Sequence, residues 1–324
     1  MPGDEGLLAA YALDGTGQGT ELDWAGVTAW KPGAGFLWVH LDYTAEPARK
    51  WLHEQSRLDP TVVEVLTAGE TRPRSIVTHG GLLVILRGMN FNPNSDPEDM
   101  VAIRIWIEEH RIVTTRHRRL RAVDDLRAAL AAGRAPKSPA NFLVAFADIL
   151  TTRMGSVLAD LDDQVDSLED EVLSAESYDL RTKLGAFRRR AISIRRYLSP
   201  QREVMARLQN ERIGWMDDLT RVQLRELADR TTRYVEDLDA ARDRAAVAQD
   251  ELNGRLSEQM NKTMYVLSIV AGIFLPLGLL TGLLGINVGG IPGTENPWAF
   301  AAVCVILVAV AALQFWIFRR KHWL

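Results

Sequence analysis

The stretch TMYVLSIVAGIFLPLGLLTGLLGINVGGIPGTENPWAFAAVCVILVAVAALQFWIF, residues 263–318, carries a single formal charge, Glu295. It divides into two apolar runs, residues 264–284 and 298–318, split by a polar, glycine-rich piece at 285–297. Each run has 21 residues. A helix needs ~20 residues, at ~1.5 Å each, to cross a hydrocarbon core of ~30 Å. A backbone in lipid must satisfy its own hydrogen bonds, so two spanning helices joined by a short loop is the economical reading. Helices buried in a soluble core rarely run that far without a charge.

Basic residues near the ends of the spans set the expected orientation. Lys262 precedes the first run, and Arg319, Arg320, Lys321 and His322 follow the second, whereas the loop holds neither Lys nor Arg. Both termini are therefore expected in the cytoplasm. Residues 1–10 lack a basic region followed by an apolar core, so the N-terminal part is expected to stay there too. The mean hydropathy of -0.07 conceals all this, because a long charged region dilutes the apolar end. A net charge of -4 is too mild to argue for nucleic acid, and the basic string at 116–119 reads as a solvated turn or a partner for nearby acids. The single cysteine, Cys304, excludes an internal disulfide framework and a thiolate zinc cluster.

Working outward, residues 1–137 read as a mixed α/β domain. Runs at 7–13, 36–41, 82–90, 101–108 and 112–116 are rich in β-branched and aromatic residues between turn signals. Helical pieces are predicted at 48–56, 60–67 and 123–132. From 138 to 263 the pattern is helical. Ser138 before Pro139 is a good helix start. Apolar residues from Ala147 to Val172 and from Leu180 to Leu198 recur at three- and four-residue steps, with Pro200 expected to kink or interrupt the second helix. Residues 160–179 hold nine acids and no base, and residues 181–212 hold ten bases and two acids. These two helices are expected to neutralise each other, the alternative being an acidic surface that concentrates cations.

A third helix starts near Asp217 or Asp218 and meets no proline before Pro276. Leu224, Leu227, Thr231, Tyr234, Leu238, Ala241, Ala245, Ala248 and Leu252 form a coiled-coil-like seam, whose alanines suggest several copies around an axis. Unbroken to residue 284, it is about 68 residues and ~100 Å long. Continued into the span, the same spacing puts Asn261, Met264, Ser268, Ala271, Leu275, Gly278, Gly282 and Gly285 on one stripe, with Leu267, Ile269, Phe274, Leu279 and Leu280 largely elsewhere. Small residues there suit close helix packing. A second reading follows from where the stripe ends, at Gly285, Ile286 and Asn287. There a ring of amide oxygens would suit a divalent ion that keeps its water shell.

Two spans at the C-terminal end, a long helix feeding the first and a Gly-X-Asn ending resemble the CorA-type divalent metal transporters, whose usual triplet is Gly-Met-Asn. The longer string from Gly285 to Gly293, and residues 197–208 with Leu198, Pro200, Gln201, Arg202 and Glu203, are similar to the ZntB zinc-transporter branch. The resemblance implies an α+β cytoplasmic domain with a mixed sheet, a helical stalk (138–263) and two transmembrane helices (264–284 and 298–318). The loop is 285–297, the basic tail 319–324, and the assembly a funnel-shaped homopentamer in a bacterial-type inner membrane. It makes Gly285, Ile286 and Asn287 the selectivity filter, with Asn287 the transient contact of a hydrated ion. It makes Asn261, Met264, Leu267 or Ser268, Ala271, Leu275, Gly278 and Gly282 pore-lining, with Leu275 and Met264 as constrictions, Glu295 a cation-attracting loop residue, and Arg319, Arg320 and Lys321 an inner basic collar or an anchor to anionic lipid. It also implies proton coupling in some members.

Zinc held tightly wants Cys, His or carboxylate ligands, and the first span has none. Any zinc would pass largely hydrated, by chemistry that separates zinc poorly from nickel, cobalt, cadmium or magnesium. The zinc assignment therefore rests on the resemblance, with a magnesium or cobalt channel and a non-transporting signalling adaptor as alternatives. No tightly bound cofactor is expected. No nucleophile–base grouping or phosphate loop points to an enzyme, and His40, His53, His79, His110 and His117 are scattered.

Overall fold

A computed structural model describes residues 6–78, 80–174, 178–211, 213–285, 293 and 296–321. The chain divides into two compact units, Met1–Gln249 and Asp250–Leu324.

The first unit is built on a seven-stranded mixed sheet in the order β2-β1-β3-β7-β6-β5-β4. Its strands are β1 (Leu7–Leu13), β2 (Gly19–Glu21), β3 (Phe36–Asp42), β4 (Arg74–Thr78), β5 (Gly81–Gly88), β6 (Val101–Ile107) and β7 (Arg111–Arg116). Only β3 and β7 pair in parallel. Strands β3 and β5 read as continuous apolar runs because helices cover both faces of the sheet. On one face Trp38, Leu82, Val84, Leu86, Ile103 and Ile105 pack with α4 (Arg121–Ala131) and the start of α5 (Pro139–Ser174). On the other, Leu37, Val39, Leu41, Leu83, Trp106 and Val113 pack with α2 (Glu46–Lys50), a π-helical turn (Trp51–Gln55) and α3 (Pro60–Thr67). Gly35 lets the start of β3 lie close against the end of β1, since a Cβ there would sit 1.8 Å from the Leu13 carbonyl oxygen.

The predicted strands are all present. Strands β2 and β4, and the short helix α1 (Trp24–Ala29), were not anticipated, because both strands are short, polar edge strands without alternation. Pro200 does not interrupt α6 (Tyr178–Leu208), which runs through it unbroken. Tertiary contacts hold the helix there. Fully buried Gln201 accepts the Arg87 backbone N–H at 2.8 Å, and the Arg87 guanidinium stacks 4.1 Å from the Tyr197 ring while donating to the Thr71 and Met100 carbonyls.

The expected charge cancellation between α5 and α6 is mostly redirected. Lys183 reaches Glu171 at 2.7 Å, but Asp162, Asp166 and Glu169 of α5 converge on Arg244 of α7 (Asp218–Leu284). Hydrogen bonds to Glu169 and then Asp166 hold the Arg244 guanidinium above the usual arginine range. The alanine seam is likewise used inside the chain. Ala241, Ala245 and Ala248 are buried, and α7 approaches α5 so closely that a Cβ on Gly155 would lie 2.4 Å from the Tyr234 hydroxyl. Tyr234 is only half-buried, and Val235 takes the buried place expected for it.

The second unit contains the end of α7, unbroken to Leu284, and α8 (Ala299–Arg320). Its large side chains face outward: Phe300 is 80% exposed, Leu275 71% and Val308 69%. Leaving such a side chain in water forgoes about 1.5–3 kcal/mol each, so lipid is the solvent that suits this surface. Helix α5 is also long and apolar enough to span, but half of its most apolar window is buried, against none for α7 and α8. It is a core helix.

Candidate permeation site

Sequence spacing divides the end of α7 into two faces, and the structure separates them. Ile269, Gly272, Ile273, Leu277 and Leu280 are partly shielded, as are Val303, Leu307, Val310, Gln314 and Phe318 of α8. These faces meet where a Cβ on Gly272 would lie 3.0 Å from the Phe318 ring, and where Gln314 Nε2 donates to the Gly272 carbonyl at 3.4 Å. The predicted pore lining lies elsewhere. Asn261, Met264, Leu267, Ser268, Leu275, Gly278 and Gly282 are exposed, and Ala271 is half-buried. At ~100° per residue the stripe centres roughly 150° around the helix from the shielded face. Its small residues are therefore not what packs α7 on α8, and a Cβ at Gly278 or Gly282 would meet nothing within 4 Å.

Polar groups along the stripe are tied to their own backbone. The Ser268 hydroxyl donates to the Met264 carbonyl at 2.8 Å, and Thr281, just off the stripe, donates to the Leu277 carbonyl at 3.0 Å. Such bonds leave hydroxyl lone pairs as the polar surface, a weak, neutral lining. Helix α7 ends where glycine was expected to end it: Gly285 donates to the Thr281 carbonyl at 2.9 Å as a turn residue. Ile286, Asn287 and Glu295 lie outside the described residues. At the opposite end of α8, Arg319 and Arg320 occupy the last turn, where cations suit the helix dipole, and Lys321 follows as the cap. Arg320 also lies 5.3 Å over the Trp316 ring.

Among the described residues, no group of three or more His, Cys, Asp or Glu side chains could hold a metal ion. Of the histidines, His40 is buried in the sheet, its Nδ1 2.9 Å from the Thr114 hydroxyl. Burial, then the Arg116 charge, push its pKa down to about 3, so it is a neutral core residue. His53 and His110 are exposed, His117 lies beside Tyr43, and His79 lies outside the described residues. Sequence reasoning passed over Gln314, although it is the only Asn, Gln, Ser or Thr in residues 298–318. A lone carboxamide in an apolar run was the available signal.

An α+β unit, a 67-residue helix and an apolar two-helix end define an integral membrane protein with a large soluble domain. The family profile described as "CorA-like Mg2+ transporter protein" matches residues 33–320, and the chain belongs to this family of divalent-cation transporters, not to a family of enzymes. It is 39% identical to the divalent cation transporter CmaX of Pseudomonas aeruginosa, over 99% of this chain and 98% of that one. It is 36% identical to the zinc transport protein ZntB of Yersinia enterocolitica, over 97% and 95% of the two chains. The structure of full-length CmaX superposes with a TM-score of 0.87 at 36% identity, covering 99% of each chain.

Proposed function

We propose that the chain conducts divalent cations, zinc foremost, through a central pore formed by copies of α7 in a homo-oligomer, most simply a pentamer, in a bacterial-type inner membrane with both termini cytoplasmic. In this reading Asn261, Met264, Leu267, Ser268, Ala271, Leu275, Gly278 and Gly282 line the path. Met264 and Leu275 narrow it, and Gly285, Ile286 and Asn287 form the outer filter. Glu295 draws cations to the mouth, and Arg319, Arg320 and Lys321 ring the inner exit or anchor to anionic lipid. The observation that carries the reading is the exposed stripe of small and neutral polar residues that turns away from α8 and ends at the helix stop. Zinc is favoured by the relatives named zinc transport proteins.

The lining chemistry is that of a hydrated ion held briefly by neutral oxygens. Without Cys, His or carboxylate on the first span, selectivity over cobalt, nickel, cadmium and magnesium is expected to be modest. That same poverty of ligands favours a magnesium or cobalt channel as the second reading. Proton coupling would have to run through water, Glu295 or a cytoplasmic group, because neither span holds Asp, Glu, His or Lys.

Purified protein in liposomes carrying a zinc-sensitive dye tests this. Zinc entry should exceed magnesium entry, and Asn287→Ala should cut it about tenfold, the factor that ~1.4 kcal/mol of lost stabilisation gives. Flux unchanged by Asn287→Ala removes the filter, and magnesium carried faster than zinc favours the second reading. A pH gradient across the vesicle decides coupling.

A further inference from the structure

Pro276 sits inside α7 and has no N–H. In a helix the missing donor is the one that the carbonyl four residues earlier requires, and that carbonyl belongs to Gly272. In lipid no water replaces it, and an unsatisfied carbonyl there is costly. The Gly272 carbonyl is the group that receives Gln314 Nε2 from α8, at 3.4 Å. Gly272 itself has no side chain to hold α8 away, and the Phe318 ring closes over it. The only carboxamide of α8 thus lands on the carbonyl that the only proline of the spanning part of α7 strips of its partner.

We propose that Gln314 is a positioning residue of the permeation path: a surrogate donor that latches α8 to the proline notch of α7 and fixes how the two helices pack at that level. Pro276 directly follows Leu275, the stripe residue read as a constriction, so loss of the latch changes the set of the pore without touching the ion. The other amide atom, Gln314 Oε1, is buried and has no hydrogen-bond partner among the described residues. The amide is therefore spent on a single bond, which makes that bond separable by mutation.

This inference rests on the transport reading for its effect on flux, but the latch has its own readout. Gln314→Met keeps the length and bulk of the side chain and cannot donate. Pro276→Ala returns an N–H to residue 276 and lets α7 satisfy Gly272 by itself. In the native background Gln314→Met should lower liposome zinc flux about fivefold, the factor corresponding to one interhelical hydrogen bond of about 1 kcal/mol. It should also lower the apparent Tm of the full-length protein in detergent. In the Pro276→Ala background the same substitution should change neither quantity. A Tm loss of equal size in both backgrounds, or none in either, overturns the latch whether or not the protein carries zinc. A background-dependent Tm with flux insensitive to Gln314→Met overturns the positioning role. Native protein that carries no cation overturns the transport reading, and with it that role.

Discussion

The two units of the chain solve the same problem in opposite senses. In Met1–Gln249, Trp38, Trp106, Phe142 and Phe146 lie at the centre and charged side chains cover the outside. In Asp250–Leu324 the large apolar side chains lie outside, and the polar Gln314 is turned in against a neighbouring helix. The difference is one of solvent. Water rewards a buried apolar core, whereas hydrocarbon gives that core no advantage and penalises every unpaired polar group. The two mid-helix prolines show it in miniature. Pro200 is flanked by Tyr197 and Gln201, which meet Arg87 in a buried network of the first unit, while the notch at Pro276 has one carboxamide.

Two valines of nearly equal exposure give the sharpest way to break that comparison: Val308 of α8, 69% exposed, and Val247 of α7, 68% exposed. An arginine at a membrane-embedded position costs about 3 kcal/mol, whereas a surface substitution in water stays within about 0.5 kcal/mol. Val308→Arg should deplete the protein from the membrane fraction, and Val247→Arg should leave its amount and apparent Tm as they were. Equal tolerance at both sites would erase the distinction between the units.

Acid separates the units next. The unfolded chain protonates His40 near its ordinary value of 6.5, but the folded core resists protonation down to about 3. The unfolded state thus binds the extra proton between those limits, so this contribution to stability is complete above about pH 6.5 and shrinks as pH falls towards 3. By pH 5 the loss is about 2 kcal/mol. The apparent Tm should fall between pH 6.5 and 5 in the native protein, and less steeply in His40→Gln. Parallel curves for the two proteins would show that the imidazole does not set the slope.

The smallest effect belongs to Arg244. Its side chain is 37% exposed and its guanidinium bridges Asp162, Asp166 and Glu169. Exposed pairs are worth about 0–1 kcal/mol and are screened by salt. Arg244→Ala should lower the apparent Tm slightly at low salt and not at all in about 1 M salt, where the Debye length is ~3 Å. A large loss that persists in salt would mean that this surface bridge behaves as a buried one.

Legibility in the sequence followed how local each signal was. Two charge-free runs, continuous β-branched stretches and the end of α7 at Gly285 are written in neighbouring residues, and each was found. Strands β2 and β4 were missed because their places come from sheet edges, not from alternation. Pro200 misled because the contacts of Gln201 and Tyr197 with Arg87 lie more than a hundred residues away in sequence. The acidic face of α5 was expected on α6, yet three of its carboxylates reach Arg244 of α7, because charge patterns name a sign and not a partner. Of the proposed site, the stripe on α7 was read from a three-four spacing, and it lies away from the face that meets α8. The contact of Gln314 with Gly272 spans 42 residues and two helices, and no spacing rule reaches that far.

One small feature has practical reach. Cys304 is the chain's sole thiol, and it is exposed on α8. Each copy therefore brings one native attachment point, reached in the bilayer only by a membrane-permeant thiol reagent, with no cysteine to remove and none to add. Bleaching steps counted on single particles would read stoichiometry directly, in the unaltered protein.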